Sequence, residues 1–343
     1  MTDLEQRILD IIQDGFPVVE RPYAAVAEQL GGITEQQVFD AVENLRASGV
    51  IRRIGGVYDS KKLGYISRLC CGIVPESAED GGESPIEQFA AAVNEIPAIT
   101  HNYVRSHRYN VWFTVIGRSE QEIQEVVRGL EQRTALCDTH ILNAKKMFKI
   151  NTVMTRRHPK VPEATNVPEQ RRVATKCHSE QREESSREAP VLKASDRDRV
   201  RMLSGDLSHS LTPFTENLIA GIQADLASRR MRRFGAVLRH QQAGFSENAM
   251  VCFVIPGSEP FSAGSLCVDQ AGALLAAEPF VSHCYERDAF GPFPYNVYAM
   301  VHGNSPEDLS AKIELLRKKL GNPEYAVLRS ERELKKTSFR FEV

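Results

Sequence analysis

The sequence predicts an α+β fold, in which a winged helix-turn-helix head is joined to a ferredoxin-like βαββαβ unit and this pair is repeated with the second head truncated. Three observations support this fold. Helical patterns precede a β-rich run at the amino end, short strands then alternate with amphipathic helices, and several motifs recur in the same order in the second half. A chain of 343 residues is long enough for about two domains or more at roughly 100–200 residues each.

The composition is that of an ordinary globular protein, with 42% hydrophobic and 26% charged residues. Its 43 basic and 45 acidic side chains give a net charge of −2, without the basic excess that drives binding to nucleic acids. No run approaches the ~18 apolar residues that span a bilayer, and the amino end does not resemble a secretory signal. The seven cysteines form no CxxC pair, which predicts reduced thiols in a cytoplasmic protein, without disulfides or a zinc site.

Residues 1–62 form the predicted winged helix-turn-helix head. Two short amphipathic helices are predicted first, and a third begins after Thr34, which stands three residues before Gln37 as in a capping box. The run 50–58 is rich in β-formers and predicts a two-stranded ribbon, the wing. Because the third helix has several acidic residues and only Arg46 as a cation, it would repel phosphates, so we expect a scaffold and not a DNA reader.

Residues 63–155 form the first predicted ferredoxin-like unit. Its strands and helices follow the order βαββαβ, which in this fold gives an antiparallel sheet backed by two helices. The elements are predicted over 66–74 (strand), 86–94 (helix), 100–107 and 109–116 (strands), 119–130 (helix) and 139–147 (strand).

The middle of the chain, residues 156–198, is predicted to be a flexible linker. The segment 156–200 contains 11 basic and 8 acidic side chains and no aromatic residue, so it buries too little apolar surface to offset its ordering entropy. A truncated helix-turn-helix remnant and its wing are predicted over 199–243, where there is room for only part of a head. The second ferredoxin-like unit is predicted over 244–343.

An internal repeat relates the two halves. RRIGGV at 52–57 reappears as RRFGAV at 232–237, and HNYVR at 101–105 reappears as HCYER at 283–287. The motifs KLGY and YNVW of the first half likewise return as QAGF and YNVY in the second half. Four matched motifs in one order indicate a duplicated unit, and small loop insertions account for the drift of their spacing.

The motif HxYxR lies in a predicted strand of each unit. Because side chains alternate along a strand, His101, Tyr103 and Arg105 should share one face. His283, Tyr285 and Arg287 should share the equivalent face of the second unit. Arginine binds carboxylates, tyrosine donates hydrogen bonds and histidine supplies protons near neutral pH, so the motif favours an anion-binding cavity. The alternative is an exposed strand face with scattered polar residues.

The two halves also differ at charged positions. Arg239 and His240 stand where the first half has Asp59 and Ser60, while His107 of the first half has no counterpart. Gaining a cation and a base and losing an acid favours one pocket for an anionic substrate, built around the second half. For His240 the alternative is a solvent-exposed residue of the wing.

The head joined to a βαββαβ unit resembles the Lrp/AsnC family, and longer motifs narrow this resemblance to the siroheme decarboxylases. IRRIGGVYDSKKLGY and THNYVRSHRYNVWFTVIG are similar to the first subunit of these enzymes. RRFGAVLRHQQAGFSENAM and HCYERDAFGPFPYNVYAMVHG are similar to the second subunit. The fusion of the two and the short second head depart from the family pattern.

The resemblance implies a cofactor-independent carboxy-lyase. It would remove the carboxyl groups of two acetate side chains of siroheme to give didecarboxysiroheme, in alternative haem biosynthesis or the related pathway to dioxo haem. No cofactor is expected, since the iron is carried by the substrate. Two alternatives stay open at this point, namely an Lrp/AsnC-type transcriptional regulator and a haem-binding sensor.

Residue roles follow from this implied chemistry. His283 or His240 would be the general acid, or else an axial ligand of the substrate iron, while Arg287 would orient carboxylates and Tyr285 would bond near the reacting group. The candidates for catalysis are His240, His283, Tyr285 and Arg287. The candidates for substrate binding are Arg232, Arg233, Arg239, His101, Tyr103, Arg105, His107, Tyr295 and Asn296.

The expected partner is siroheme, with no membrane and no DNA. The two halves should pair as a pseudo-heterodimer, either within one chain or between chains, and further homo-oligomerisation is compatible with the sequence.

Overall fold

A computed structural model describes residues 1–77, 82–150, 192–238, 247–256, 266–337, 339 and 341. The helices are α1 (Asp3–Asp14), α2 (Pro22–Leu30), α3 (Glu35–Ala47), α4 (Pro85–Glu95), α5 (Glu120–Arg133), α6 (Ala194–Leu203), α7 (Glu216–Ala227), α8 (Val268–Ala277) and α9 (Pro306–Lys319). The strands are β1 (Ile51–Tyr58), β2 (Ile66–Ile73), β3 (Ile99–Arg105), β4 (Val111–Gly117), β5 (Cys137–Leu142), β6 (Ala144–Ile150), β7 (Met231–Leu238), β8 (Glu247–Phe253), β9 (Val281–Arg287), β10 (Val297–Gly303) and β11 (Tyr325–Lys336). Within these ranges no helix is both long and apolar enough to cross a membrane.

Local sequence determines where several helices begin. The Thr34 hydroxyl accepts a hydrogen bond from the Gln37 backbone N–H, and the Gln37 side chain accepts one from the Thr34 backbone N–H at 2.8 Å. Thr2 and Glu5 form the same reciprocal pair ahead of α1. Each capping box satisfies N–H groups that would otherwise have no partner at a helix start, and the capping box predicted for α3 is confirmed.

Each half contains a ferredoxin-like sheet. The first has the order β5-β2-β4-β3 and the second the order β11-β8-β10-β9, so that corresponding strands occupy corresponding places. All the pairings within these sheets are antiparallel. The predicted α+β class and the two ferredoxin-like units are therefore confirmed.

In each half, the last stretch of strand pairs with the sheet of the other half. The sequence predicts one strand over 139–147, but the structure breaks it at Asn143 into β5, which stays in its own sheet, and β6, which pairs with β9. In the second half, β11 pairs first with β8 and then, from Ser330 onward, with β3. The two halves thus pair within one chain, as a pseudo-heterodimer.

The two heads pair through one strand each. β1 and β7 run antiparallel to each other, so the two-stranded ribbon predicted within the first head is wrong, and its second strand comes from the other half. α6 begins at Ala194, inside the range 156–198 assigned to the linker. No described helix separates α6 from α7, whereas α2 separates α1 from α3, so the second head is shorter by one helix.

Buried side chains form separate layers. One cluster joins the heads and includes Tyr23, Ile54 and Phe234. In each unit a second cluster lies between the sheet and its helices. A further cluster lies between the two sheets and contains Cys71, Trp112, Cys252, Phe293 and Tyr298. This last layer carries the candidate site, because it contains the cross-strand neighbours of the HxYxR residues.

Candidate functional site

The two HxYxR motifs point toward the layer between the sheets. Tyr103 lies opposite Trp112 and Tyr285 lies opposite Tyr298, and residues directly opposite on neighbouring strands share a face. We name the side chains of His101, Tyr103 and Arg105 the β3 face, and those of His283, Tyr285 and Arg287 the β9 face.

Stacking contacts run along both faces. On the β9 face the rings of His283 and Tyr285 are nearly parallel with centroids 6.5 Å apart, and the Arg287 guanidinium lies 4.8 Å from the Tyr285 ring centre. On the β3 face the Arg105 guanidinium lies 5.1 Å from the ring centre of Tyr103. The prediction that each triplet shares one side of its strand is confirmed.

Arg105 is buried and Arg287 is half-buried, and both are bonded to the backbone of the opposite half. Arg105 donates hydrogen bonds of 3.1 Å to the carbonyl oxygen of Leu328 and to the Ser330 hydroxyl. Arg287 donates one of 3.0 Å to the carbonyl oxygen of Leu142. Burial lowers the pKa of both guanidiniums, to about 10 for Arg105. Arg287 also lies against the Tyr285 ring, and its expected role in orienting substrate carboxylates stays a prediction.

The two motif histidines are oriented by the hydroxyl that precedes each of them. Thr100 Oγ1 lies 2.9 Å from His101 Nδ1, and Ser282 Oγ lies 2.8 Å from His283 Nδ1. Ser282 Oγ also lies 2.7 Å from Nε2 of the buried His302. The contact with Ser282 orients the ring of His283, and His283 itself is half-buried.

Arginines of the heads lie near the tyrosines of both faces. Burial raises the pKa of Tyr285, and the positive charges of Arg287 and Arg232 oppose that rise. For Tyr103, burial and a carboxylate raise the pKa, and Arg105 and Arg52 oppose them. Arg232 also pairs with Asp59, Nη2 to Oδ2 at 3.1 Å. Arg52, which the repeat makes the counterpart of Arg232, is thus a further cation whose charge acts on the β3 face, and sequence reasoning missed it.

Arg233 has a structural role in this fold. Its guanidinium donates hydrogen bonds to the carbonyl oxygen of Ala236, at 3.1 Å, and to that of Gln13 near the end of α1. Arg53 makes the equivalent bond of 3.2 Å to Gly56 and another to Gly205, after the end of α6. A cation near the carboxyl end of a helix is favourable, so these contacts support a structural role, and the substrate-binding role expected for Arg233 stays a prediction.

Asn296 is likewise occupied by the backbone. Its side-chain oxygen accepts a hydrogen bond of 2.9 Å from the N–H of Ile255, and its amide nitrogen donates one of 2.8 Å to the carbonyl oxygen of Ile255. Asn110 makes the same two bonds with Val74 in the first half. The repeat of this geometry favours a structural role for Asn296 in place of the substrate contact expected from sequence.

An aromatic cluster joins His107 to a loop of the second half. The His107 ring lies edge-to-face with Phe293 at 5.3 Å, and its Nδ1 accepts a hydrogen bond of 3.1 Å from the Tyr109 backbone N–H. Tyr295 also packs edge-to-face on Phe293, at 4.7 Å. Phe290 and Phe293 belong to a stretch that is longer than its counterpart in the first half, so the insertion closes this end of the layer.

A hydrogen-bonded triad lies beneath the same loop. The Tyr109 hydroxyl donates to Asp138 Oδ2 at 2.9 Å, and His140 Nε2 lies 3.0 Å from Asp138 Oδ1. The hydrogen bond from Tyr109 lowers the pKa of Asp138. His140 stacks on Phe290 at 3.7 Å. Sequence reasoning missed this triad, because Asp138 and His140 belong to a strand and Tyr109 to a distant turn.

Two predicted site residues are not among the described residues, and the described part of the chain contains a small cavity near the β3 face. Arg239 and His240 lie outside the described residues. A cavity of about 260 Å³ lies beside the β3 face and is lined in part by Arg105, His107 and Glu331. It is smaller than the roughly 300–1,000 Å³ of pockets for drug-sized ligands, so it would not hold a whole tetrapyrrole. Within the described ranges no cluster of side chains forms a metal-binding site.

Comparisons with known proteins agree with the described fold. A model of the AsnC-like ligand binding domain matches residues 62–149 and 242–335, and a model of the siroheme decarboxylase NirDL-like HTH domain matches residues 5–52. The two stretches matched by the first model are the two ferredoxin-like units.

Individual relatives match either the whole chain or one half of it. The siroheme decarboxylase of Hydrogenobacter thermophilus is 30% identical over 98% of this chain and 94% of its own length. The siroheme decarboxylase alpha subunit of Desulfovibrio desulfuricans is 44% identical over 44% of this chain and 82% of its own length. The crystal structure of siroheme decarboxylase NirDL with an iron-uroporphyrin III analogue has a TM-score of 0.65 and 26% identity, over 98% of this chain and 93% of that one.

Proposed function

Because this chain belongs to the siroheme decarboxylase family, we propose that it removes the carboxyl groups of two acetate side chains of siroheme, giving didecarboxysiroheme in alternative haem biosynthesis. The observation that supports this most is the β9 face, where His283, Tyr285 and Arg287 stack along one strand. Arg232 of the head adds a positive charge near Tyr285. Such a surface suits a ligand that is flat, aromatic and polyanionic.

Decarboxylation needs a group that stabilises the electron pair of the broken bond, and it needs a proton. When an acetate side chain loses carbon dioxide, the electron pair of the broken carbon–carbon bond stays with the methylene carbon and is accepted by the macrocycle. One proton delivered to that carbon completes the methyl group, so each step consumes a proton and needs no oxidant. The protein therefore has to bind the other carboxylates, hold the reacting acetate and supply the proton.

The residues of the β9 face divide these tasks. His283 is the proposed general acid, because its ring is half-buried and oriented by Ser282. Tyr285 donates a hydrogen bond near the reacting acetate, and Arg287 holds the Tyr285 ring in place.

Residues outside the β9 face bind the rest of the substrate. Arg232 gives up its partly exposed contact with Asp59 and binds a carboxylate of the substrate. His240 is the second proposed acid or an axial ligand of the substrate iron, and Arg239 a second carboxylate ligand.

The setting of the reaction follows from the same proposal. The iron belongs to the substrate, so no separate cofactor takes part in the proposed reaction. The buried thiols Cys70, Cys71, Cys252 and Cys284 are unpaired, which supports a cytoplasmic location. The acidic residues of α3 argue against DNA as a partner.

Mass spectrometry of the siroheme reaction tests this function. Purified protein incubated anaerobically with siroheme should yield a product lighter by two carboxyl groups, released as carbon dioxide. Tight binding without release of carbon dioxide would indicate a sensor instead. A regulator would shift its own promoter fragment with a steep salt dependence.

Two histidine substitutions test the proposed acids. We expect His283→Ala and His240→Ala to slow turnover by about 10²–10⁴-fold, the usual contribution of a general acid. His209→Ala is the matched control, since His209 contacts Glu43 in the heads. If both variants turned over siroheme as fast as the control, the assignment of the acids would be wrong.

A further inference from the structure

The β3 and β9 faces are pseudo-equivalent, yet they differ at the strand donated by the opposite half. On the β9 face the residue opposite Tyr285 is Met147 of β6. On the β3 face the residue opposite Tyr103 is Glu333 of β11. Both donated residues are exposed, and Met147 retains 51% of its accessible surface. An uncharged thioether thus stands on one face where a carboxylate stands on the other.

Glu333 is also engaged with the β3 face. It hydrogen-bonds to the Tyr103 side chain, and after burial its charge is the largest influence that raises the pKa of that phenol. A second carboxylate of β11, Glu331, lines the cavity beside Arg105 and His107. Its equivalent on β6 is Lys145, which pairs with Asp288 at 2.8 Å. At both pairs of equivalent positions the acidic residue is therefore on β11, beside the β3 strand, and not on β6.

From this difference we infer that the chain has one tetrapyrrole site, on the β9 face, and that Glu331 and Glu333 keep a polycarboxylate ligand off the β3 face. This inference rests on the proposed function. Carboxylates at these positions repel those of a ligand bound at close range, and the bond between Tyr103 and Glu333 also occupies the phenol that a substrate would need. The strands exchanged between the halves thus allow a polycarboxylate tetrapyrrole to bind to the β9 face and prevent it from binding to the β3 face.

Titration with iron uroporphyrin III, a polycarboxylate tetrapyrrole, tests the inference through its absorbance. We expect one equivalent to bind to each wild-type chain. Met147→Glu should weaken that binding by about tenfold or more, because it places a carboxylate beside Tyr285. Met147→Gln is the matched control with similar length and no charge, and it should bind within about twofold of wild type, as should Glu333→Gln.

The converse change should create a second site. The variant Glu331→Lys with Glu333→Met gives these two positions of β11 the residues that β6 has there, and we expect it to bind a second equivalent. Two equivalents on the wild type, an unweakened Met147→Glu variant, or a doubly substituted chain that still binds one equivalent would each overturn the inference. A wild type that binds no iron tetrapyrrole would instead contradict the proposed function itself.

Discussion

Arg287, at the end of β9, donates a hydrogen bond of 3.0 Å to the carbonyl oxygen of Leu142, the last residue of β5 in the other half. Arg105 makes the equivalent bond of 3.1 Å to Leu328. Each guanidinium therefore ties its own unit to the opposite unit, at a residue just ahead of the stretch that the opposite unit supplies. The same two side chains also lie against Tyr285 and Tyr103, so the packing of the halves and the shape of both faces depend on them.

Replacing Arg287 by lysine should separate charge from geometry. Arg287→Lys keeps the positive charge but loses the planar group that stacks on Tyr285 while reaching Leu142. We expect the free energy of unfolding to fall by about 1.5–3 kcal/mol, the worth of a hydrogen bond to a charged group, in urea denaturation. Arg105→Lys is the control, with a similar loss. Turnover of siroheme that fell no further in Arg287→Lys than in Arg105→Lys would contradict the positioning role.

A second prediction concerns Asn102, which is fully buried on the helix side of β3. Neither polar atom of its amide has a hydrogen-bond partner among the described residues. The repeat places Cys284 at the equivalent position of β9. We expect Asn102→Cys to raise the free energy of unfolding by about 1–3 kcal/mol, the cost of leaving such a group unpaired. Cys284→Asn should lower it by a similar amount, and a stabilising Cys284→Asn would refute this reasoning.

Asp225 of α7 should be essential to the paired heads. It is 1% exposed and accepts hydrogen bonds from Arg199 at 2.9 Å and from Arg230 at 2.9 Å. The bond with Asp225 also raises the pKa of Arg199. Asp225→Ala removes the buried partner of both cations and leaves them only the more exposed Asp196, so we expect a loss of about 3–5 kcal/mol in unfolding free energy. Asp196→Ala, which removes a more exposed partner of the same arginines, should cost clearly less in the same thermal and urea melts.

The acid side of the stability profile should report on His107. Burial, together with the charge of Arg108, lowers the pKa of His107 below its ordinary value of 6.5. As the pH falls below 6.5, the unfolded chain takes up this proton before the folded chain does, so stability is lost until the folded pKa is reached. In His107→Gln that part of the loss should disappear. Urea midpoints measured across this range, with His209→Gln as control, would detect the difference.

Local features of the sequence predict most of the elements, since caps and alternation need only neighbouring residues. Thr34 and Gln37 predict the start of α3, and the HxYxR alternation predicts which side chains share a face. The repeat predicts the pseudo-symmetry, and with it the equivalence of Arg52 and Arg232. These inferences hold because each depends on spacing along one segment of chain.

Contacts between the halves could not be predicted in the same way. After the break at Asn143, β6 pairs with β9 of the other half. This pairing places Met147 opposite Tyr285. The bond from Arg287 to Leu142 arises in the same manner. A buried arginine in a motif is consistent with either a carboxylate ligand or a structural anchor, and only the neighbouring backbone distinguishes the two.

The exchange of terminal strands also bears on how such a protein is produced. If the two halves were made as separate polypeptides, β9 and β3 would each lack a neighbour until the partner arrived. Exposed strand edges of that kind promote aggregation. A single polypeptide guarantees equal amounts of both halves at the moment of synthesis, and so limits the time for which these edges stay open.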